Sequence, residues 1–247
     1  NMKRFDWQIF LGLSLVALSV FFYFVHYAIF QDAHHIFLYL IGDIAFVPIE
    51  VLFVTLIVHR LLNEREKRSM LKKLNMVIGT FFCEVGIKLL KCFSQFDCHF
   101  DKIRENLLVS NNWTEKKFSD TGKGLKDYDY RIDIQKGDLE DLRNFLLEKR
   151  DFLLRLLENP NLLEHESFTE LLWAVSHLTE ELVARVDTRK LSNADYTHLS
   201  GDIKRAYIVL ISEWLQYMKH LKDQYPYLFS FALRTNPFDL DATPEIK

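Results

Sequence analysis

WQIFLGLSLVALSVFFYFVHYAIFQ, residues 7–31, runs for 25 positions without a single Asp, Glu, Lys or Arg. Roughly 20 apolar residues in a helix cover the hydrocarbon core of a bilayer. Trp7 and Tyr27, near the two ends, suit the interfacial zones that favour amphipathic rings. A cleaved signal peptide is the rival reading. The run is too long for that, and no small-x-small cleavage site follows it. A second run, Ile36–Val58, has 23 residues, about 34 Å as a helix. Only Gln31 to His35 separates the two, so the chain is expected to form a tight two-span hairpin.

The flanking charges orient the hairpin. Lys3 and Arg4 precede the first run, the connecting segment has neither residue, and Arg60, Arg65, Lys67, Arg68, Lys72 and Lys73 follow the second. Cytoplasmic flanks carry the excess of Lys and Arg, which places both termini in the cytoplasm. The expected location is a prokaryotic inner (plasma) membrane. Cys83, Cys92 and Cys98 would then be free thiols, and the sequon at Asn112-Trp113-Thr114 idle.

The remainder is densely charged and reads as all-α. The expected fold is a two-span transmembrane helical hairpin (1–58, spans about 7–30 and 36–58) followed by a cytoplasmic helical bundle. A juxtamembrane amphipathic helix covers 59–109, a loop or linker 110–137 (with a short strand at Tyr130–Ile134), the bundle 138–234 and a C-terminal tail 235–247. Leu71, Leu74, Ile78, Phe81 and Val85 fall at 3-4-3-4 spacing, a coiled-coil-like seam expected to be an assembly face, buried against symmetry mates or against the C-terminal bundle. Gly79 and Gly86, seven apart, suit close helix–helix approach. In the bundle, Leu171, Leu172, Val175, Leu178, Leu182 and Val186 form one buried face, behind a capping box at Ser167-Phe-Thr-Glu170. Leu210 and Trp214 lie on the seam of the last long helix and are expected in the core.

Composition excludes several classes. Net charge is −3, three cysteines cannot build a disulfide framework, and the chain holds only eight glycines and five prolines. Nucleic acid is not an expected partner. The chain has no Walker loop, GxGxxG, GxSxG, HExxH or CxxC, so no enzymatic activity, cofactor or metal is expected. Asp195-x-x-His198 has the spacing of half a bundle metal site, but its partner motif is missing, so it reads as a solvated helix start. His165, His177 and His220 read as surface groups. Cys92-x5-Cys98-His99 lacks zinc-site spacing.

The informative residues lie in the second run. A charge at mid-membrane costs roughly 2.5–3.5 kcal/mol on insertion scales, so such groups turn toward protein or water. Asp43 and Glu50, seven apart, lie within about 20° of one helical face and about 10 Å apart along the axis. Val47 and Val54 continue that stripe. Gly42 and Pro48 mark an expected kink, since proline frees the carbonyl of Ile44. The first run supplies no Lys or Arg as counterion, only His26, Tyr23 and Tyr27. Around a symmetry axis the two acids become two acidic rings, the arrangement that selects cations. Asp32, His34 and His35 would line the mouth. The expectation is therefore a homo-oligomeric cation channel in a lipid bilayer. The alternative is a membrane-anchored scaffold or sensor whose hairpin only tethers and self-associates.

Gly42–Glu50 resembles, in architecture, the acidic pore segment of calcium uniporters, which also set Asp and Glu on the second helix of a two-span hairpin. Here Asp43 follows Gly, the second acid is seven residues on, and Pro precedes it. The likeness is of architecture and implies only an acid-lined cation path.

Overall fold

The computed structural model describes residues 2–162 and 165–245. Among them the chain is helical: α1 Met2–Phe30, α2 Ala33–Phe81, a π-turn Phe82–Gly86, α3 Ile87–Phe96, α4 Phe100–Leu107, α5 Glu115–Lys126, α6 Leu139–Leu157, α7 Glu166–Ala184, α8 Asn193–Gln224 and α9 Pro226–Arg234. The chain divides into two units, residues 1–67 and 68–247.

In the first unit the two apolar runs both become helix, the second with Pro48 inside it. α1 and α2 are both long and apolar enough to cross a membrane. Ser14 in α1 donates its hydroxyl to the carbonyl of Phe10 at 2.8 Å, which satisfies it inside an apolar helix. The reversal occurs at Gln31, whose φ of 49° is left-handed, while its N–H donates to Tyr27 O at 2.8 Å. That is a helix C-terminal cap of the kind usually made by glycine. Asp32 starts α2 by accepting from the N–H groups of His34 and His35, at 3.0 and 3.2 Å. α2 stays helical through Gly42 and Pro48, so the expected kink does not break it.

The second unit is built around α8, which packs against α3, α5, α7 and α9. Local signals set the helix starts. Asp138 accepts from Glu140 and Asp141 N–H groups at 2.9 and 3.0 Å. Ser192 and Asp195 form a reciprocal capping box at α8. Tyr207, Leu210 and Trp214 on α8 are buried with Phe93 and Phe96 of α3, Leu142 and Leu146 of α6, and Phe168, Leu171, Leu172, Val175, Leu178 and Leu182 of α7.

Several expectations are corrected here. The stretch 110–137 is not a plain linker: it contains α5, capped by Thr114, whose side chain accepts from Lys117 N–H. Its expected strand reduces to one antiparallel bridge, Asp97 to Ile132. α7 begins at Glu166, and its cap is His165, whose Nδ1 accepts from Phe168 N–H at 3.2 Å, rather than Ser167. Val186 is 96% exposed because α7 ends at Ala184, before the periodicity reaches it. The tail is partly core. Phe238 is fully buried against Trp214, ring centres 5.0 Å apart, and Asn236 donates to Leu107 O at 3.0 Å.

Of the two partners expected for the seam, the structure shows packing within the chain. Leu74, Ile78, Phe81 and Val85 are buried by the chain itself, and of the five only Leu71 is exposed. Phe81 meets the ring of Phe168 edge-on at 5.2 Å, and Phe82 stacks on Tyr217 at 4.9 Å. Gly79 lies under the same Tyr217, where an added Cβ would rest 3.6 Å from the ring. The seam is real, but its partners are α7 and α8 of the same chain.

Candidate functional site

Asp43, Val47, Glu50 and Val54 are all exposed on α2, as is Gly42. The structure does not treat the two acids alike. Asp43 lines a cavity of about 480 Å³ with Ser19, Phe22, Tyr23 and His26 of α1 and His35, Ile36 and Tyr39 of α2. Glu50 is not among its lining residues.

The cavity exists because a two-residue reversal sets the helices in antiparallel register. His26 faces His35, their rings stacked 5.8 Å apart with planes only 9° from parallel. Tyr39 tilts against His35 at 4.6 Å and Phe30 against His26 at 4.8 Å. His26 Nδ1 is buried with no hydrogen-bond partner. Of the three residues expected at a pore mouth, Asp32 is engaged as a backbone cap, His34 is exposed, and His35 turns into the cavity. Sequence reasoning set His35 at the mouth and His26 and Tyr23 apart from it, and passed over Ser19 and Tyr39. Folding the sequence about Gln31 pairs Ser19 with Asp43 and Tyr23 with Tyr39, so the grouping had a sequence signal.

The second unit holds another polar cluster that the sequence reading did not assemble. His177 and Glu181 lie one turn apart on α7, and His198 and Asp202 one turn apart on α8. Asp202 is 3% exposed. Its Oδ2 lies 3.5 Å from His177 Nε2 and 3.3 Å from His198 Nε2. Glu181 Oε2 is 3.4 Å from His198 Nε2, and Glu181 Oε1 is 3.9 Å from His177 Nε2. Arg185 donates to Glu181 Oε2 at 2.6 Å and to Asp195 Oδ1 at 3.0 Å. The hydrogen bond from Arg185 holds the Glu181 carboxyl below the usual carboxylate range. Arg205 flanks Asp202 Oδ1 at 3.5 Å.

A third polar group is structural. Asp97 is buried and caps the next turn by accepting from His99 N–H at 2.9 Å. Burial pushes its carboxyl up, and burial likewise raises Tyr128, Tyr130 and Tyr207 around it.

Comparison with known proteins divides the chain much as the structure does. Residues 2–62 match the family described as "MJ1433, N-terminal helical domain". Residues 70–234 match "Uncharacterized protein MJ1433, C-terminal helical domain". The chain is similar to "Uncharacterized protein MJ1433" of Methanocaldococcus jannaschii, with 49% identity over 239 residues, covering 97% of this chain and 95% of the relative. No solved structure matches the chain. With both domains matched in order and nearly the full length aligned, the chain belongs to the MJ1433 family.

Proposed function

We propose that the chain is an oligomeric integral membrane protein that passes cations along the acidic face of α2. The observation that carries this reading is the uncovered pair Asp43 and Glu50. Both are exposed, seven residues apart, on a helix long and apolar enough to cross a bilayer. Neither apolar run supplies a Lys or Arg to neutralise them. Carboxyl groups at that depth need protein or water around them. Self-association supplies both, and places the acids in rings that favour cations. The Lys and Arg residues flanking the runs orient both termini and the second unit toward the cytoplasm.

The test is cation flux into liposomes holding the full-length protein. Asp43→Asn and Glu50→Gln should each lower flux or selectivity. Wild-type conduction in both variants, or no flux in the parent under any gradient, overturns the reading.

The second reading, a membrane-anchored scaffold or sensor, is favoured by a different observation. The seam from Leu74 to Val85 is satisfied within the chain, so the second unit needs no partner copy to complete its core. Mass measurement in nanodiscs separates the two. A monomer removes the rings and leaves the tether.

A further inference from the structure

We propose that His177, His198 and Asp202, with Glu181 as the fourth donor, form a binding site for a zinc-like transition-metal dication between α7 and α8. This inference concerns the second unit alone and does not depend on the membrane reading.

Four of the donor separations approach the edge length of a coordination tetrahedron. Zinc bound by imidazole nitrogen and carboxylate oxygen at about 2.0–2.1 Å has neighbouring donors about 3.3–3.4 Å apart. The two cross-helix separations here are 3.5 Å (His177 to Asp202) and 3.4 Å (His198 to Glu181), and the two within a helix are 3.3 Å (His198 to Asp202) and 3.9 Å (His177 to Glu181). The donor atoms of His177, His198 and Asp202 all lie within 4.8 Å of one another. The donors also mix two imidazoles with two carboxylates, a set suited to zinc and its neighbours rather than to calcium or magnesium, which take oxygen ligands.

A second observation points the same way. Asp202 Oδ2 is buried and accepts no hydrogen bond, although two ring nitrogens lie within 3.5 Å of it. A buried carboxylate oxygen is normally hydrogen-bonded. Here it points at two imidazole nitrogens that do not donate to it, which is the arrangement left when all three converge on a common point. The surroundings match a metal's outer shell: Arg185 fixes Glu181, and Arg205 flanks the other oxygen of Asp202. The register is built in. Each histidine is one turn ahead of its acid, and in an antiparallel pair each histidine then faces the other helix's acid.

The experiment uses full-length, tag-free protein in detergent, stripped by chelator and titrated with Zn2+ by calorimetry and with Co2+ by visible absorption. One ion per chain is expected, with the intense absorption of four-coordinate cobalt. His177→Ala and His198→Ala, both at half-exposed positions, should each weaken zinc binding about 100-fold and abolish the cobalt band. Arg185→Ala should weaken it about 10-fold, as outer-shell changes do. Trp173→Ala, exposed on the same helix, should bind like the parent. Thermal unfolding of each metal-free variant checks its fold, and His177→Gln repeats the test with a smaller disturbance. The proposal is overturned if the parent binds no stoichiometric zinc, if folded histidine variants bind as tightly as the parent, or if cobalt shows only the weak spectrum of six oxygen ligands.

Discussion

The two units are rich in the same side chains and dispose of them in opposite ways. From Ile9 to Leu62 the large apolar residues are almost all exposed, whereas from Leu74 onward most of them are buried. Helical propensity does not separate them. The difference is in where charge sits. α6, α7 and α8 carry charged faces opposite their apolar stripes, so each has one side that water solvates and one that neighbours must cover. α1 and the first half of α2 expose apolar side chains on every side, interrupted on α2 by Asp43 and Glu50, and two such helices alone hide only a fraction of their surface. One set of apolar surfaces is covered by the chain itself; the other is left exposed, which supports the membrane reading proposed above.

The largest test of that contrast is Leu74→Glu combined with Ile78→Glu. In the buried seam two unpaired carboxylates would cost well over about 5 kcal/mol together, and the second unit should lose its cooperative unfolding transition by circular dichroism. A folded double variant would mean the seam faces water. Next is Trp214→Ala, expected to cost about 3–5 kcal/mol, read from denaturant unfolding in detergent. Phe46→Ala, exposed on α2, should leave that transition where it was. Equal effects from the two would erase the distinction between the units.

Asp97 gives a smaller, pH-dependent test. Its folded carboxyl is raised by burial, so the folded state holds a proton that the unfolded state releases. Stability from this group is therefore highest below the ordinary carboxylate pKa of 3.8 and falls as pH rises toward the raised value. Asp97→Asn keeps the acceptor for His99 N–H and removes the buried charge. It should raise the unfolding midpoint at neutral pH and flatten its acid-side slope. A lowered midpoint would show that the ionised form is the stabilising one. The smallest effect is expected at Val186→Asp, within about 0.5 kcal/mol of zero; a clear loss of stability would restore the buried position its periodicity suggested.

Periodicity made the helices legible. The two apolar runs, the α6–α8 stripes and the buried pair Leu210 and Trp214 were all readable, because apolar spacing and caps are local. What failed was local in appearance and decided elsewhere. The polar stretch around α5 shows little stripe, yet Thr114 caps it and Phe118 and Leu125 dock it. Phe238 looked like tail until Trp214 offered it a surface. The assembly seam was correctly located, but spacing cannot say whether its partner is another copy or the same chain. His177, His198 and Asp202 are scattered in sequence, and only the antiparallel register of α7 and α8 gathers them.

The π-turn at Phe82–Gly86 has a consequence for how this helical segment tolerates change. It holds one more residue per turn than the helix on either side, so everything after it is rotated by about 100° relative to an unbroken α-helix. The buried stripe runs from Leu74, Ile78 and Phe81 before it to Leu89, Phe93 and Phe96 after it, with Phe81 and Phe82 both inside. Removing one residue here, such as exposed Cys83, would restore ordinary helix and turn Leu89 and Phe93 away from α8. At this point the chain's length is itself part of the fold's specification.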